Sequence, residues 1–336
     1  MNFNRRIIAA ALISSIISLV NCSKTTETVS DSTTETTSAV STTVISEIED
    51  TLKYKVTDPF TYKVGKPEIL DNSDTIKTVY FYRDSKKIFG QLYLPSNKGD
   101  HPLVIISSGQ AASYKIYTDE AKSFADNGIA CLIFDFTGSG ELFTFTSGVQ
   151  KSLSYGDGTQ ITVLTEVADL NAIIDSLPDF SDIDEENVFL FGHSLGGLSS
   201  TYIGCSRSDD IKGMMLIEPS YAYPDYSRET SPDLSKVPDV ITDTSLYNVE
   251  VGKQFVVDMQ SVEIYDKMPD YDKDVLILLG TEKDSLGATN HEYFDRAAKT
   301  FPCAEVTEID GADHYFQGEY GEKAMEQFIK FVQEHI

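Results

Sequence analysis

The chain has 336 residues, and 41% of them are apolar, which is enough to bury one large core or two modest ones. Its 53 acidic side chains outnumber 27 basic ones and give a formal net charge of −26. A surface this acidic repels polyanions, so we expect no nucleic-acid partner and no binding to anionic lipid headgroups.

The first 22 residues have the form of an export signal. Arg5 and Arg6 precede residues 7–20, an uncharged apolar run that is too short to span a bilayer comfortably. The run ends in the sequence LVNC, which is similar to a bacterial lipobox, in which the cysteine is lipidated. We therefore predict a lipoprotein-type signal with lipid on Cys22, and this anchor as the only membrane contact. An ordinary secretory signal cut nearby is the alternative, and both place the mature protein outside the cytoplasm.

Residues 23–50 are predicted to be a disordered tether. Of these 28 residues, 15 are Ser or Thr and none is aromatic. Such a segment cannot bury enough apolar area to offset the entropy lost on ordering. A tether of this kind would let an anchored domain stand clear of the membrane.

From about Thr51 to the end, short apolar runs alternate with stretches of helical periodicity. This alternation predicts one α/β domain over residues 51–336, with a mostly parallel sheet and helices on both faces. The predicted strands are 77–82 and 87–94, which form an antiparallel hairpin, then 103–107, 129–134, 187–191, 214–217, 275–279 and 304–309. The predicted helices are 114–127, 159–177, 195–205, 291–300 and 323–333.

One interval breaks the alternation. Residues 221–272 separate two predicted strands by far more than a crossover helix needs, and they are rich in tyrosine and proline. We interpret this segment as a lid inserted over the carboxyl edge of the sheet, where open α/β sheets bind ligands.

The most informative motif is G-x-S-x-G at residues 192–196, directly after an apolar run and before residues suited to a helix. This is the sequence form of a nucleophile elbow, a tight strand-to-helix turn that exposes a serine hydroxyl. It predicts Ser194 as a nucleophile, the alternative being a Gly-rich turn without a chemical role. A serine needs a general base, and the base needs a carboxylate that fixes its tautomer.

The base is found by elimination among five histidines. In this topology the acid and then the base follow the serine, each on a loop after a strand. Only His314, directly after the last predicted strand, meets that condition. His193 is expected to be fixed in the turn and directed away from the serine. The other three stand at the wrong edge, on a helix or at the end of the chain, and they are His101, His291 and His335.

The acid is predicted to be Asp284, in the turn after strand 275–279. Glu218, after the preceding strand, is its main rival, because some enzymes of this topology take the acid from that place. The oxyanion formed during attack needs two N–H donors, each worth on the order of 3 kcal/mol to the transition state. We predict that they are the backbone N–H groups of Leu195 and Gln110.

With these residues in place, the chain resembles the α/β-hydrolase superfamily, and within it the cinnamoyl and feruloyl esterases. The resemblance rests on four motifs, FDFTGSGE at 134–141, GHSLGG at 192–197, LGTEKD at 279–284 and GADH at 311–314. It implies an α/β-hydrolase fold with an inserted lid, and catalytic roles for Ser194, Asp284 and His314. The chain departs from the family pattern at Ser108, where histidine is usual, at Thr137, where arginine is common, and at 285–287, where valine and proline are usual.

We therefore predict an exported serine carboxylesterase that needs no metal or cofactor. Its substrate would be a small-molecule or polysaccharide-linked ester, with hydroxycinnamoyl or short acyl groups. A peptidase or acyl transferase with the same triad, and a surface-binding lipoprotein without catalysis, are the alternatives. The remaining cysteines stand at spacings that suit neither a disulfide framework nor a zinc site, and they are Cys131, Cys205 and Cys303.

Overall fold

The computed structural model describes residues 54–144, 148–243, 249–282 and 291–336. Its strands are β1 (Val64–Asn72), β2 (Ile76–Arg83), β3 (Lys86–Tyr93), β4 (His101–Ser107), β5 (Ala130–Phe134), β6 (Glu141–Thr144), β7 (Gly148–Lys151), β8 (Ile183–His193), β9 (Gly213–Ile217), β10 (Val240–Asp243), β11 (Val249–Gly252), β12 (Val275–Gly280) and β13 (Ala304–Ile309). Its α-helices are α1 (Thr118–Asp126), α2 (Val163–Asp175), α3 (Leu195–Ser206), α4 (Tyr223–Thr230), α5 (Lys253–Ser261), α6 (Ile264–Lys267), α7 (His291–Thr300) and α8 (Glu319–His335).

Nine of these strands form one sheet in the order β1-β2-β3-β5-β4-β8-β9-β12-β13. The pairs β1–β2, β2–β3 and β3–β5 are antiparallel, and the pairs from β5 to β13 are parallel. The carboxyl ends of six strands therefore meet at one edge of the sheet. The segments that carry Gln110, Ser194 and His314 leave from that edge.

The core lies on both faces of the sheet because successive side chains of a strand point to opposite faces. In β4, Leu103 and Ile105 pack on one side with residues of α2 and α3. Val104 and Ile106 pack on the other side with residues of α1 and α8. Burial on both faces explains why the central strands are almost continuous apolar runs.

The fold class predicted from the sequence is confirmed, and most element bounds differ by only a few residues. The helix expected over 159–177 begins later, at Val163, because the Thr162 side chain caps it in a reciprocal pair with Thr165. Three features escaped prediction, namely strand β1 and the hairpins β6–β7 and β10–β11. The predicted export signal, lipidated Cys22 and tether precede the described residues and remain predictions.

The segment 221–272 lies between β9 and β12, which are parallel neighbours. Its described part contains α4, α5, α6 and the β10–β11 hairpin. Tyr221 and Phe255 belong to the main core on one face of the sheet. The segment is thus packed into the domain, and its function as a lid remains a prediction.

Within the described ranges, no helix has both the length and the apolar character needed to cross a bilayer. Cys131, Cys205 and Cys303 are free thiols. The same residues contain no cluster of three or more His, Cys, Asp or Glu side chains with the arrangement of a metal site.

A buried carboxyl group links α2 to α3, the helix that follows the elbow. Glu166 is 1% exposed, and its Oε2 accepts a hydrogen bond of 2.5 Å from the Ser199 hydroxyl. Burial raises the pKa of Glu166 to about 8, and the nearby carboxylate of Asp169 acts in the same direction. Asp169 itself pairs with the buried guanidinium of Arg83. We therefore expect Glu166 to keep its proton at neutral pH.

This assignment predicts how stability depends on pH. Between about 4.5 and 8 the unfolded chain loses the Glu166 proton while the folded chain keeps it, so unfolding becomes easier as pH rises through that window. Glu166→Gln keeps an oxygen for Ser199 and removes the titration. We expect it to be more stable than the parent at pH 8, on the order of 1 to 3 kcal/mol, and about equal at pH 4.5.

Thermal unfolding across this pH range measures the effect. Glu326→Gln, the same chemical change on the exposed side of α8, serves as the control. Identical pH slopes for Glu166→Gln and the parent would contradict a protonated Glu166.

Candidate active site

The elbow places Ser194 between β8 and α3 with φ 54° and ψ −119°, a strained conformation for a residue with a side chain. Two glycines let the flanking elements approach. A Cβ at Gly192 would lie 2.6 Å from the Cα of Gly197, and one at Gly196 would lie 2.3 Å from the Ser107 carbonyl oxygen. Both contacts are too short for any side chain, so the glycines of the motif are required by packing.

Ser194 opens into a pocket at the carboxyl edge of the sheet. Its wall combines polar groups of the loops after β4, β8, β9 and β13 with an apolar surface that includes three aromatic rings. The lining residues are Gly109, Gln110, Ala112, Ile116, Phe143, His193, Ser194, Leu195, Glu218, Ser220, Ala222, Tyr223, His314 and Tyr315. The predicted nucleophile, base and oxyanion donors therefore meet in one pocket.

The carboxylate that contacts His314 in the described structure is that of Glu218. Its Oε2 lies 3.2 Å from His314 Nδ1, and its Oε1 accepts a hydrogen bond of 2.8 Å from the Gly280 N–H. The two side chains are only 4% and 8% exposed. Asp284, the acid chosen from the sequence, lies outside the described residues. Its role remains a prediction, whereas its rival is seen in contact with the base.

Glu218 directly follows β9 and has φ 43°, which is unfavourable for a residue with a Cβ. Its N–H donates to the Leu278 carbonyl of β12. This bond holds the strained turn against the neighbouring strand. The turn directs the carboxylate toward the end of β12 and the loop after β13.

The loop that carries His314 is fixed by β12 as well as by Glu218. The Gly311 N–H donates to the Thr281 hydroxyl at 2.9 Å, and the Glu282 N–H donates to the Ala312 carbonyl at 2.9 Å. A Cβ at Gly280 would lie 2.3 Å from that same carbonyl oxygen, so the close approach requires glycine.

His193, the residue before the nucleophile, is fixed in the turn, as the sequence suggested, but it has a neighbour that was not foreseen. Its Nε2 lies 2.7 Å from the main-chain carbonyl oxygen of His314, and its Nδ1 lies 2.9 Å from the Tyr117 hydroxyl. A carbonyl oxygen only accepts, so Nε2 carries the proton and Tyr117 donates to Nδ1. Burial, and then the proximity of His314, lower the pKa of His193 to about 3. Neutral His193 thus links the nucleophile turn, by a hydrogen bond, to the main chain of His314.

The predicted oxyanion donors both line the pocket. Leu195 is the first residue of α3, so its N–H has no acceptor within the helix. Gln110 follows Gly109, where a Cβ would lie only 3.3 Å from the Ser194 Cβ. This loop is supported by β6, since the Phe143 N–H donates to the Ala111 carbonyl at 2.8 Å.

A hydroxyl, an imidazole and a carboxylate in one pocket can perform base-assisted nucleophilic attack, with two N–H groups available for an oxyanion. Sequence reasoning missed Ser220, whose Oγ lies 3.3 Å from Ser194 Oγ. It also missed the bond from His193 to the base. The only available signal for Ser220 was its place after a strand at the carboxyl edge, next to Glu218.

Comparisons with known proteins bear on the fold of this chain. A family model described as Hydrolase_4, serine aminopeptidase S33, matches residues 100–303, which is more than half of the chain. Among curated protein sequences, none matches significantly.

Solved structures resemble the fold at low sequence identity. Est1E from Butyrivibrio proteoclasticus, solved with ferulic acid bound, has a TM-score of 0.66 at 22% identity, over 76% of this chain and 98% of that one. Acetyl xylan esterase 1 from Thermoanaerobacterium sp. JW/SL YS485 has a TM-score of 0.55 at 14% identity, over 82% and 89%. A monoacylglycerol lipase from Paleococcus ferrophilus has a TM-score of 0.53 at 20% identity, over 71% and 98%.

The state of His193 can be tested directly. With a pKa of about 3, its ring should remain the neutral Nε2–H tautomer from pH 8 down to pH 5. Because an unfolded histidine protonates near pH 6.5, this residue also makes the folded state less stable as pH falls below that value.

NMR of ¹⁵N-labelled imidazoles, assigned with His193→Asn, measures the tautomer and the titration. Tyr117→Phe should shift the Nδ1 resonance, because it removes the hydrogen bond to that atom. Protonation of His193 with a midpoint above pH 5 would contradict the buried, neutral state.

Proposed function

This chain belongs to the serine aminopeptidase S33 family of α/β-hydrolases, and from that premise we propose that it is a serine carboxylesterase with Ser194 as nucleophile and His314 as base. One observation carries the proposal. The strained Ser194 and the His314–Glu218 pair, on loops from three different strands, line the same pocket.

In the proposed mechanism, the Ser194 proton moves to His314 Nε2 as Oγ attacks the ester carbonyl. The backbone N–H groups of Leu195 and Gln110 bind the oxyanion, and His314 returns the proton to the departing alcohol. Water then hydrolyses the acyl-enzyme through the same steps in reverse. These steps use protein side chains, the two backbone N–H groups and water.

Glu218 is the carboxylate that we propose for orienting His314. The Gly280 N–H occupies one of its oxygens, and the other faces Nδ1. A carboxylate held from both sides keeps Nδ1 protonated and leaves Nε2 as an acceptor for the serine proton. Asp284 remains the alternative acid.

The pocket favours an uncharged acyl group with an apolar or aromatic body. Phe143, Tyr223 and Tyr315 contribute aromatic rings to its wall, and no Lys or Arg is among its described lining residues. Est1E binds ferulic acid, and the xylan esterase named above acts on acetyl groups by its name. We propose hydroxycinnamoyl or short acyl esters, free or attached to polysaccharide, as substrates.

The proposed setting is the outside of a bacterial cell. It rests on the apolar run at residues 7–20 and on Cys22. A lipid anchor and the Ser/Thr-rich segment would keep the hydrolase at the envelope.

Hydrolysis of amides is a second candidate, because the family description names aminopeptidases. The same nucleophile and base would serve both reactions. Turnover of aminoacyl p-nitroanilides exceeding that of p-nitrophenyl esters would favour it, and acyl transfer to an added acceptor outpacing hydrolysis would favour a transferase. A non-catalytic binding protein would resist labelling by a fluorophosphonate probe.

Replacing the nucleophile gives the first test. Ser194→Ala should lower kcat for p-nitrophenyl acetate by about 10⁴-fold or more, because attack by Oγ is lost while binding remains. Ser206→Ala, an exposed serine at the end of the same helix, is the control and should retain full activity. Turnover by Ser194→Ala at the parent rate would refute the mechanism.

The acid is tested by comparing Glu218→Gln with Asp284→Asn. In Glu218→Gln the Gly280 N–H keeps the amide oxygen, so the NH₂ group faces His314 Nδ1. His314 then takes the Nε2–H tautomer and cannot accept the serine proton. We expect kcat to fall by about 10³- to 10⁴-fold with little change in KM, as for the wrong tautomer in other triads. Asp284→Asn should lose less than about tenfold.

Steady-state kinetics with p-nitrophenyl acetate, on variants that unfold at the parent temperature, provides the measurement. The opposite ranking, a severe loss in Asp284→Asn and a mild one in Glu218→Gln, would assign the acid to Asp284.

A further inference from the structure

Ser220 has a hydroxyl beside the reacting oxygen that the mechanism above does not use. Its Oγ lies 3.3 Å from Ser194 Oγ, and the residue is partly exposed in the wall of the pocket. We propose that Ser220 is a further catalytic residue, which donates a hydrogen bond to Ser194 Oγ when that atom carries negative charge. This inference rests on the proposed function.

The main chain holds Ser220 in place. Its N–H donates to the Ser194 carbonyl at 2.9 Å, and the Ser194 N–H donates to the Ile217 carbonyl at 2.9 Å. The nucleophile turn and the segment after β9 are thus joined by bonds on both sides of Glu218. The Ser220 hydroxyl therefore stays within reach of Ser194 without a loop movement.

The short segment from Glu218 to Ser220 consequently contacts both the base and the nucleophile. Glu218 contacts the base, and two residues later Ser220 contacts the nucleophile. The buried Pro219 lies between them, and its Cβ is the atom that a Cβ on Gly197 would meet, at 2.8 Å. The segment therefore packs against the first turn of α3. This packing fixes the distance between the contact of Glu218 with the base and the contact of Ser220 with the nucleophile.

The role of Ser220 follows from the charge on Ser194 Oγ. In acylation the Ser194 O–H bond breaks, the proton moves to His314 Nε2, and Oγ forms a bond to the carbonyl carbon. Ser220 keeps its own proton and donates to Oγ while charge develops there. Hydrogen bonds to an ionised acceptor are roughly twice as strong as those to a neutral one, so this bond favours loss of the Ser194 proton.

In deacylation the same atom, Ser194 Oγ, is the leaving group. When the second tetrahedral intermediate collapses, the bond from carbon to Oγ breaks and its electron pair returns to Oγ. His314 supplies the proton, and Ser220 donates to the departing oxygen until that proton arrives. In the acyl-enzyme, Oγ is a poorly accepting ester oxygen, so the bond strengthens only where charge appears, as transition-state stabilisation requires.

The opposite role for Ser220 would be inhibitory. If Ser194 donated to Ser220 throughout, its proton would point away from His314, and removing the Ser220 hydroxyl would speed acylation. The two roles therefore predict opposite changes in the acylation rate when the Ser220 hydroxyl is removed.

The test compares Ser220→Thr with Ser220→Val, because these side chains have the same shape and only threonine keeps the hydroxyl. Stopped-flow kinetics with p-nitrophenyl acetate separates the acylation burst from steady-state deacylation. We expect the valine variant to be about tenfold slower than the threonine variant in both phases, with KM differing by less than about twofold. Ser220→Ala should resemble the valine variant, and Ser206→Ala should match the parent.

Equal rates for the threonine and valine variants, or a faster valine variant, would overturn the role of Ser220. A difference confined to KM would also overturn it, since that result indicates binding rather than stabilisation of charge. The result for Ser194→Ala separates this inference from the proposed function. If Ser194→Ala is inactive while the two Ser220 variants are equal, only the Ser220 role fails.

Discussion

The carboxylate of Glu218 is the contact on which the arrangement of the candidate site depends. Glu218 directly follows β9 and has a positive φ. Its carboxylate accepts a hydrogen bond from the Gly280 N–H at the end of β12 and faces the His314 imidazole on the loop after β13. Three parallel strands are therefore joined through one buried side chain. Burying a charge is costly unless its oxygens are bonded, and here the described structure shows a partner for each oxygen. The hydrogen bond between Glu218 and His314 also fixes the position of the imidazole relative to the sheet.

Backbone strain in the described chain is concentrated around this contact. Four of its five non-glycine residues with positive φ are in the loops of the site, at the oxyanion loop, the nucleophile, the carboxylate and the loop after His314, and they are Ala111, Ser194, Glu218 and Phe316. The fifth, Asp84, is in the β2–β3 hairpin turn. Strained residues persist where surrounding packing over-determines them. Here the packing comes from glycines that allow backbone contact and from the neutral His193, which bonds the His314 carbonyl.

The sequence was sufficient to predict the parallel sheet, the elbow and the pocket that Ser194 shares with His314, because these follow from apolar runs, glycine spacing and strand order. From the sequence we chose Asp284 over Glu218, although both follow a strand at the same edge. Deciding between them requires the direction of each side chain, which for Glu218 depends on the bond from Gly280. Strand β1 was missed because it is an exposed edge strand without a clear apolar pattern. The contacts of Ser220 and His193 join residues far apart in the chain, so a local sequence pattern does not predict which atoms they meet.

We propose that a carboxylate after β9 holds the base of a serine hydrolase. A crystal structure of the protein inactivated by a phosphonate inhibitor tests it most directly, because the adduct imitates the tetrahedral intermediate. We expect phosphorus bonded to Ser194 Oγ, a phosphoryl oxygen about 2.7 to 3.1 Å from the Leu195 and Gln110 nitrogens, and His314 Nδ1 hydrogen-bonded to Glu218. A His314 bonded to Asp284 with Glu218 turned away, or an adduct on another residue, would contradict it.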